Sequence, residues 1–268
     1  MKYSDTYPIK SVTLPSPKII RLEINSPQIA SLARPGQFIQ IRIPDKETNI
    51  WPRPFSIQLA ENGCLTLYIK IFGKMTSHLA KLKIGDTLSI TGPLGNGFTE
   101  PPNQVPLFLV AGGVGLPPLY FLVHTLLKKG YPPELIHLYS GAKSAADLFA
   151  NDEISLLNIH YHISTEDGSM GSKGLVVEPF AADFAGKESS IVYACGPMAM
   201  LAAVADIAGK NPCQLSLEQL MPCGWGVCNG CAIKLKSDNS IVEDERGFRL
   251  ARVCKEGPVF EADSILWD

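Results

Sequence analysis

No run of apolar residues in this chain approaches the ~20 that a helix needs to cross a bilayer, which sets a membrane-spanning role aside. An excess of charge of one sign is missing as well. The formal net charge is −2, so neither a nucleic acid nor an anionic membrane surface is an expected partner. The first ten residues, MKYSDTYPIK, lack the apolar centre of a secretory leader, and the cytoplasm is the expected compartment. Internal repeats and low-complexity tracts are absent too, so a repeat array gains no support. What remains is a chain of 268 residues, 46% hydrophobic and 19% charged, with the composition of one or two globular domains and room for a small appendage.

Against that background the seven cysteines stand out. In a reducing compartment they are not expected to pair as disulfides, and an odd number with four beyond residue 220 points to metal or redox chemistry. The stretch MPCGWGVCNGC has the spacing Cys223-x4-Cys228-x2-Cys231, and Cys254 follows after 22 further residues. This is the plant-type [2Fe–2S] arrangement, whose fourth ligand arrives from a distant strand. Gly224, Gly226 and Gly230 allow the close backbone approach such a loop needs, with N–H groups free to face inorganic sulfide. A zinc ion held by four cysteines is the alternative. Zinc sites usually pair short knuckles, and here the fourth cysteine stands alone. Cys64 and Cys213 fall outside the pattern and read as ordinary buried or surface thiols.

Three segments follow from patterning. Residues 1–100 carry short Ile-, Leu- and Thr-rich runs punctuated by Gly, Pro and Asn, which predicts an antiparallel β barrel or small sandwich. Residues 101–210 alternate buried strands such as VPLFLVAGG with helices such as PPLYFLVHTLLKKG, which predicts an α/β domain on a parallel sheet. Residues 211–268 form a cysteine-rich tail too short and too polar for a core of its own, so an internal staple is expected.

Two further motif sets bear on chemistry. In the first segment, WPRPFSIQ sets Arg53 two residues before Phe55, the turn at Gly73 leads to Thr76 or Ser77 as a helix cap, and GPLGNGF closes the segment. In the second, Gly112, Gly113 and Gly115 lie between strand and helix, where backbone can approach a pyrophosphate, and Cys195-Gly196-Pro197 repeats that design at the last strand. Taken singly, each is weak: an Arg beside Pro is usually solvated, and Gly is common at any such turn.

Together and in this order, RPFS, the Gly-x-x-Thr turn, GPLGNGF, the glycine turn and Cys-Gly-Pro resemble the ferredoxin–NADP reductase superfamily. The resemblance implies a barrel in which Arg53 grips the FAD pyrophosphate, with Pro54 beside it, Phe55 lies against the isoalloxazine and Ser56 hydrogen-bonds near flavin N5. Gly73 and Thr76 would cradle the phosphates, and Cys195, Gly196 and Pro197 would sit by the nicotinamide. Met75 stands where close relatives often have Gly. Glu166 and Asp167, in the turn STEDGSMGSKG, favour NAD over a 2′-phosphorylated nucleotide, with Lys143 and Lys173 nearby as counterweights.

With its C-terminal cluster motif, essentially the whole chain resembles the electron-transfer subunits of the NAD-dependent (class 1B) dihydroorotate dehydrogenases. That implies a subunit of a pyrimidine-biosynthesis oxidoreductase that carries FAD and [2Fe–2S]. Electrons would pass from the FMN of a catalytic TIM-barrel partner through the cluster and FAD to NAD+, in a heterotetramer of two plus two subunits. No catalytic residue for dihydroorotate is evident in this chain. Trp225 and the 22-residue gap before Cys254 depart from the family's pattern, both near the cluster. The alternatives are an NAD(P)-reactive flavin and iron–sulfur subunit of a hydrogenase, sulfhydrogenase or ferredoxin-dependent transhydrogenase, and a zinc-stapled interaction module with no redox role.

Overall fold

The computed structural model describes residues 2–43, 51–102, 104–237 and 247–267. Seven antiparallel strands build the first segment: β1 (Tyr3–Ser16), β2 (Ile19–Asn25), β3 (Phe38–Arg42), β4 (Arg53–Ser56), β5 (Leu59–Glu61), β6 (Cys64–Lys70) and β7 (Thr87–Leu94). Helices α1 (Pro27–Ala30) and α2 (Lys74–Leu79) bridge them. The strand order is β4-β3-β7-β1-β2-β6-β5. The two edge strands, β4 and β5, are consecutive in the chain and joined only by Ile57 and Gln58. Ile57 N–H bonds to Gln37 O beside β3 and Gln58 N–H to Thr66 O on β6. One short link therefore ties both edges, and the sheet curls into a half-barrel around Ile20, Leu22, Ile24, Ile39, Ile41, Leu65 and Leu67.

β1 is a strand that the periodicity did not reveal. It is largely exposed and holds prolines. It pairs with β7 through Tyr3–Pro8 and then with β2 from Ile9 onward, so Pro8 falls at the handover, where a missing N–H costs least.

The second sheet has the order β11-β10-β9-β8-β12-β13-β16. Its parallel strands are β8 (Leu107–Gly112), β9 (Ile136–Ala142), β10 (His160–Thr165), β11 (Ser172–Lys173), β12 (Ile191–Cys195) and β13 (Cys213–Ser216). The crossovers carry α3 (Leu116–Lys128), α4 (Asn151–Ser155), α5 (Val177–Phe184) and α6 (Met198–Ala208). Leu119, Leu122, Val123 and Ile154 of α3 and α4 pack on one face, and Phe180, Phe184, Leu201 and Val204 of α5 and α6 on the other. Strand order reverses between β8 and β12, which creates a crevice at their carboxyl ends.

In the tail, β14 (Ala232–Lys236) and β15 (Phe248–Arg252) form a hairpin, and β16 (Val259–Glu261) returns antiparallel to β13. The tail's first and last strands thus extend the nucleotide-domain sheet. Leu215, Leu217, Met221, Leu235, Val253 and Phe260 bury themselves in a core shared with Phe108, Val192 and Leu201, and with Phe38 and Leu94 of the barrel. The apolar area this short segment lacks is supplied by its neighbours. Among the described residues no helix is long and apolar enough to cross a membrane.

Candidate functional site

The switch point brings both predicted nucleotide motifs together. A Cβ on Gly115 would lie 2.0 Å from Cys195 O, and one on Gly112 would lie 2.7 Å from Pro197 Cδ. The last turn of β8 and the Cys195-Gly196-Pro197 turn after β12 are thus in backbone contact, closer than any side chain permits. Gly113 has φ +55 and open space where a Cβ would stand, so this turn leaves room above it. Cys195 is buried, and burial raises its thiol, with a further push from Glu218, against a hydrogen bond with Ser216. It is a neutral side chain and no nucleophile.

Beyond β10, the acidic pair sits in a tight loop. Asp167 Oδ1 accepts from Ser169 N–H (2.9 Å) and Ser169 Oγ (2.6 Å), which lowers its carboxyl. Glu166 is exposed beside it. Asp167 N–H bonds to Lys143 O, and the Lys173 side chain lies 3.1 Å from a Cβ on Gly168, so both lysines border the loop.

On the barrel, Arg53 is exposed and its Nη1 donates to Trp51 O (3.0 Å) and Pro52 O (3.3 Å). Phe55 is half-buried against the barrel core. Pro54 and Ser56 instead line a cavity of about 160 Å³ together with Phe38, Leu217, Glu218 and Met221. The turn at Gly73 differs from the expected capping. Gly73 is itself the cap residue of α2, with φ +136 and open space around its Cβ position. Thr76 lies inside the helix, where its hydroxyl accepts from Phe72 N–H (2.7 Å) and donates to Gly73 O (3.2 Å). That hydroxyl shapes the turn from within, and the main-chain groups at Gly73 face open space where a phosphate can approach.

The four loop and tail cysteines group in pairs. Cys223 and Cys228 interact through backbone and side chain, and Cys254 N–H points at Cys231 Sγ (3.4 Å). Main-chain donors surround the sulfurs: Trp225 N–H on Cys223 (3.4 Å), Gly226 N–H on Cys254 (3.2 Å) and Gly230 N–H on Cys228 (3.4 Å). Burial opposes ionisation of Cys223, but the N–H groups of Cys228, Trp225 and Val227 prevail and draw its thiol down to about 6. Cys254 is raised by burial and by the Cys231 thiol beside it. Among the described residues no three His, Cys, Asp or Glu side chains converge on a single metal position. Four thiols in two pairs, each within an N–H shell, fit a group that takes thiolates two by two. Of the 22-residue gap before Cys254, residues 238–246 lie outside the described residues.

Three residues missing from the sequence reading tie these parts together. Gln40 is a buried amide in the apolar strand β3, and its Nε2 donates to Met221 O (2.9 Å) at the foot of the cysteine loop. Asn96, inside GPLGNGF, donates to Glu256 O (3.0 Å) and Val259 O (2.9 Å) and accepts from Val259 N–H (3.0 Å), clamping the chain just after Cys254. Glu218 opens onto solvent at the cavity mouth but is crowded by protein elsewhere, and that burial raises its carboxyl. The lone amide in FIQIRI was the available signal for Gln40; nothing local marks Glu218.

A half-barrel beside a parallel sheet, with paired turns at the switch point, defines an FAD- and NAD-binding oxidoreductase of the ferredoxin-reductase type. The family models for an oxidoreductase FAD-binding domain and an oxidoreductase NAD-binding domain match residues 9–98 and 109–206. That for the iron-sulfur cluster binding domain of dihydroorotate dehydrogenase B matches residues 218–266. The chain is 32% identical over 264 residues to the dihydroorotate dehydrogenase B (NAD(+)) electron transfer subunit of Desulforamulus reducens, with 97% of each chain covered. It is 38% identical over 235 residues to that of Caldanaerobacter subterraneus, with 87% of each covered. It belongs to this family of electron transfer subunits. Among solved structures, the NADH-dependent reduced ferredoxin-NADP oxidoreductase matches with a TM-score of 0.82 at 28% identity, over 100% of this chain and 92% of that one.

Proposed function

We propose that this chain takes electrons from the FMN of a catalytic dihydroorotate dehydrogenase subunit, through a [2Fe–2S] cluster and FAD, to NAD+, as dihydroorotate becomes orotate. The observation that carries this reading is the cavity between barrel and tail. Ser56, which the family resemblance sets near flavin N5, and its neighbour Pro54 share it with Met221 at the foot of the cysteine loop. A flavin, when bound, supplies the exchange between hydride and single-electron chemistry. The residues hold the stations in place. Arg53 offers a charged fork for a pyrophosphate, and the Gly73 turn offers main-chain donors. Gly112–Gly115 and Cys195–Pro197 receive the dinucleotide, while Glu166 and Asp167 meet the adenosine ribose and disfavour a 2′-phosphate. Cys223 with Cys228, and Cys231 with Cys254, match the two irons of a [2Fe–2S] cluster in pairs.

Around that loop Leu220 (83% exposed), Val227 (79%) and Trp225 (43%) form an apolar rim. It suits the catalytic subunit's surface, in an assembly of two plus two subunits in the cytoplasm. Alone, the chain should pass electrons from NADH to artificial acceptors without oxidising dihydroorotate. Joined to the catalytic subunit, it should couple orotate formation to NAD+ reduction. Dihydroorotate turnover by the isolated chain, or coupling that survives loss of Cys228, would overturn this reading. The likeness to the ferredoxin-NADP oxidoreductase supports a second reading, exchange of electrons with ferredoxin. Reduced ferredoxin driving NAD+ reduction, with no response to the dihydroorotate partner, would favour it.

A further inference from the structure

Two carboxylates of the nucleotide-binding domain reach across to the barrel. Both lie in the crossover between β9 and β10. Glu153, on α4, accepts from Tyr68 Oη (2.6 Å), Arg21 Nε (3.2 Å) and Gln58 Nε2 (3.0 Å). Asp147, in the turn before α4, is 8% exposed and meets Lys18 Nζ (3.3 Å) and Lys70 Nζ (3.2 Å). All five donors belong to the barrel, and Tyr68 also stacks on Phe149, with centroids 4.9 Å apart. Apolar packing alone would hold two domains together but would let them slide. Directional bonds to two buried or half-buried carboxylates fix one register.

The contact continues toward the nucleotide site. Ser144 Oγ donates to Asp147 Oδ2 (2.9 Å), and the next residue's amide, Ala145 N–H, donates to Ser169 Oγ (2.7 Å). Ser169 Oγ in turn donates to Asp167 Oδ1 (2.6 Å). Two sets of polar contacts, joined through the Ser144–Ala145 peptide, thus lead from two barrel lysines to the acidic loop.

We propose that Asp147 and Glu153 form a positioning clasp for hydride transfer. Glu153 sets the register of the nucleotide-binding domain on the flavin barrel, and Asp147 also shapes the loop that receives the adenosine ribose. The inference rests on the NAD reading above. Hydride transfer needs reacting atoms held about 3–3.5 Å apart, so small slippage between domains lowers the rate steeply. Both are positioning residues, and neither touches the reacting atoms.

The test uses the purified flavin- and cluster-loaded protein and two reductants, NADH and reduced nicotinamide mononucleotide, which lacks the adenosine half. Stopped-flow reduction of the flavin gives an apparent Kd and a limiting rate for each. Asp147→Asn should raise the apparent Kd for NADH about two- to thirtyfold, the range of couplings carried by such networks, and leave that for the mononucleotide unchanged. Lys70→Gln removes one of the two ion pairs of Asp147 from the barrel side and should act in the same direction, should Asp147→Asn fold poorly. Glu153→Gln should lower the limiting rate with both reductants. Equal weakening of both reductants by Asp147→Asn and Lys70→Gln, or no change in either, would overturn the Asp147 role. An unchanged limiting rate in Glu153→Gln would overturn the register role. If the wild type bound both reductants equally, the ribose placement itself would fail, and the Asp147 role with it.

Discussion

Replacing Gly224 with Ala probes the joint between the barrel and the cysteine loop. Gly224 has φ +69, and a Cβ there would lie 2.4–2.5 Å from the Gln40 side-chain amide. Two penalties follow. An L-residue in the left-handed region costs about 1–2 kcal/mol. Gln40 must also move, and it is buried with Nε2 bonded to Met221 O at 2.9 Å. Losing that bond inside the protein costs about 1–3 kcal/mol. Together the penalties come to about 2–5 kcal/mol. The same substitution in a Gln40→Ala background meets no amide, so only the backbone penalty of about 1–2 kcal/mol remains. A double-mutant cycle by chemical denaturation should therefore give a coupling of about 1–3 kcal/mol, with cluster content followed by visible absorbance on the same samples. Coupling near zero, or a Gly224→Ala protein as stable as the wild type, would refute the contact.

Cys228→Ala should abolish the cluster's absorbance and acid-labile sulfide and loosen the tail, while FAD stays in the barrel; normal sulfide content would remove Cys228 from the ligand set. NADH should reduce the flavin at least about tenfold faster per unit concentration than NADPH, the effect of ~1.4 kcal/mol of charge repulsion at the Glu166–Asp167 loop, and equal second-order rates would point to Lys143 or Lys173 as a phosphate ligand. His137 stacks between Phe108 (4.8 Å) and His160 (4.5 Å), with His162, Asp183 and Lys187 in electrostatic reach. Burial first, then the neighbouring histidines, lowers its imidazole from 6.5 to about 4. The unfolded chain therefore takes up a proton that the folded one refuses, so stability should fall as pH drops from about 6.5 toward 4. Denaturant midpoints across that range should show the slope, and His137→Phe should flatten it; an unchanged slope would clear this residue.

Much of this organisation is legible in the residues themselves because it rests on local rules. The parallel strands β8, β9 and β12 are apolar runs that end at Gly or lead into Gly196-Pro197, and they fall where the pattern places them. Cys223 meets Cys228, and Cys231 meets Cys254, because their spacing is a property of one loop and the turn that follows β15. What stayed hidden depends on contacts between distant segments. β1 shows no strand periodicity of its own, because its pairing with both β7 and β2 is what makes it a strand. Thr76 reads as a cap, although its hydroxyl is turned back to Phe72 and Gly73. Asn96 sits in what reads as a turn closing the barrel, and its partners lie 160 and 163 residues away. No window of neighbouring residues contains that information.

These long-range contacts share a feature that bears on how the family can diverge. Apart from the side-chain clasp at Asp147 and Glu153, at least one side of each joint named here is main chain. Gln40 reaches the Met221 carbonyl, Asn96 reaches Glu256 and Val259 backbone, and Gly115 faces the Cys195 carbonyl. A carbonyl or N–H is the same in every residue, so the side chains carrying it can change freely without moving the joint. What must persist is the short list of residues that reach the backbone or leave space for it. That accounts for a chain only 28% identical superposing with a TM-score of 0.82 over its whole length. The largely exposed side chains of Leu220 and Val227 at the rim take no part in such a joint, whereas Trp225 carries the Lys2 ammonium 5.0 Å from its ring centroid. Partner choice can therefore drift at the rim while the spacing of flavin, nucleotide and cluster sites is held by backbone beneath it.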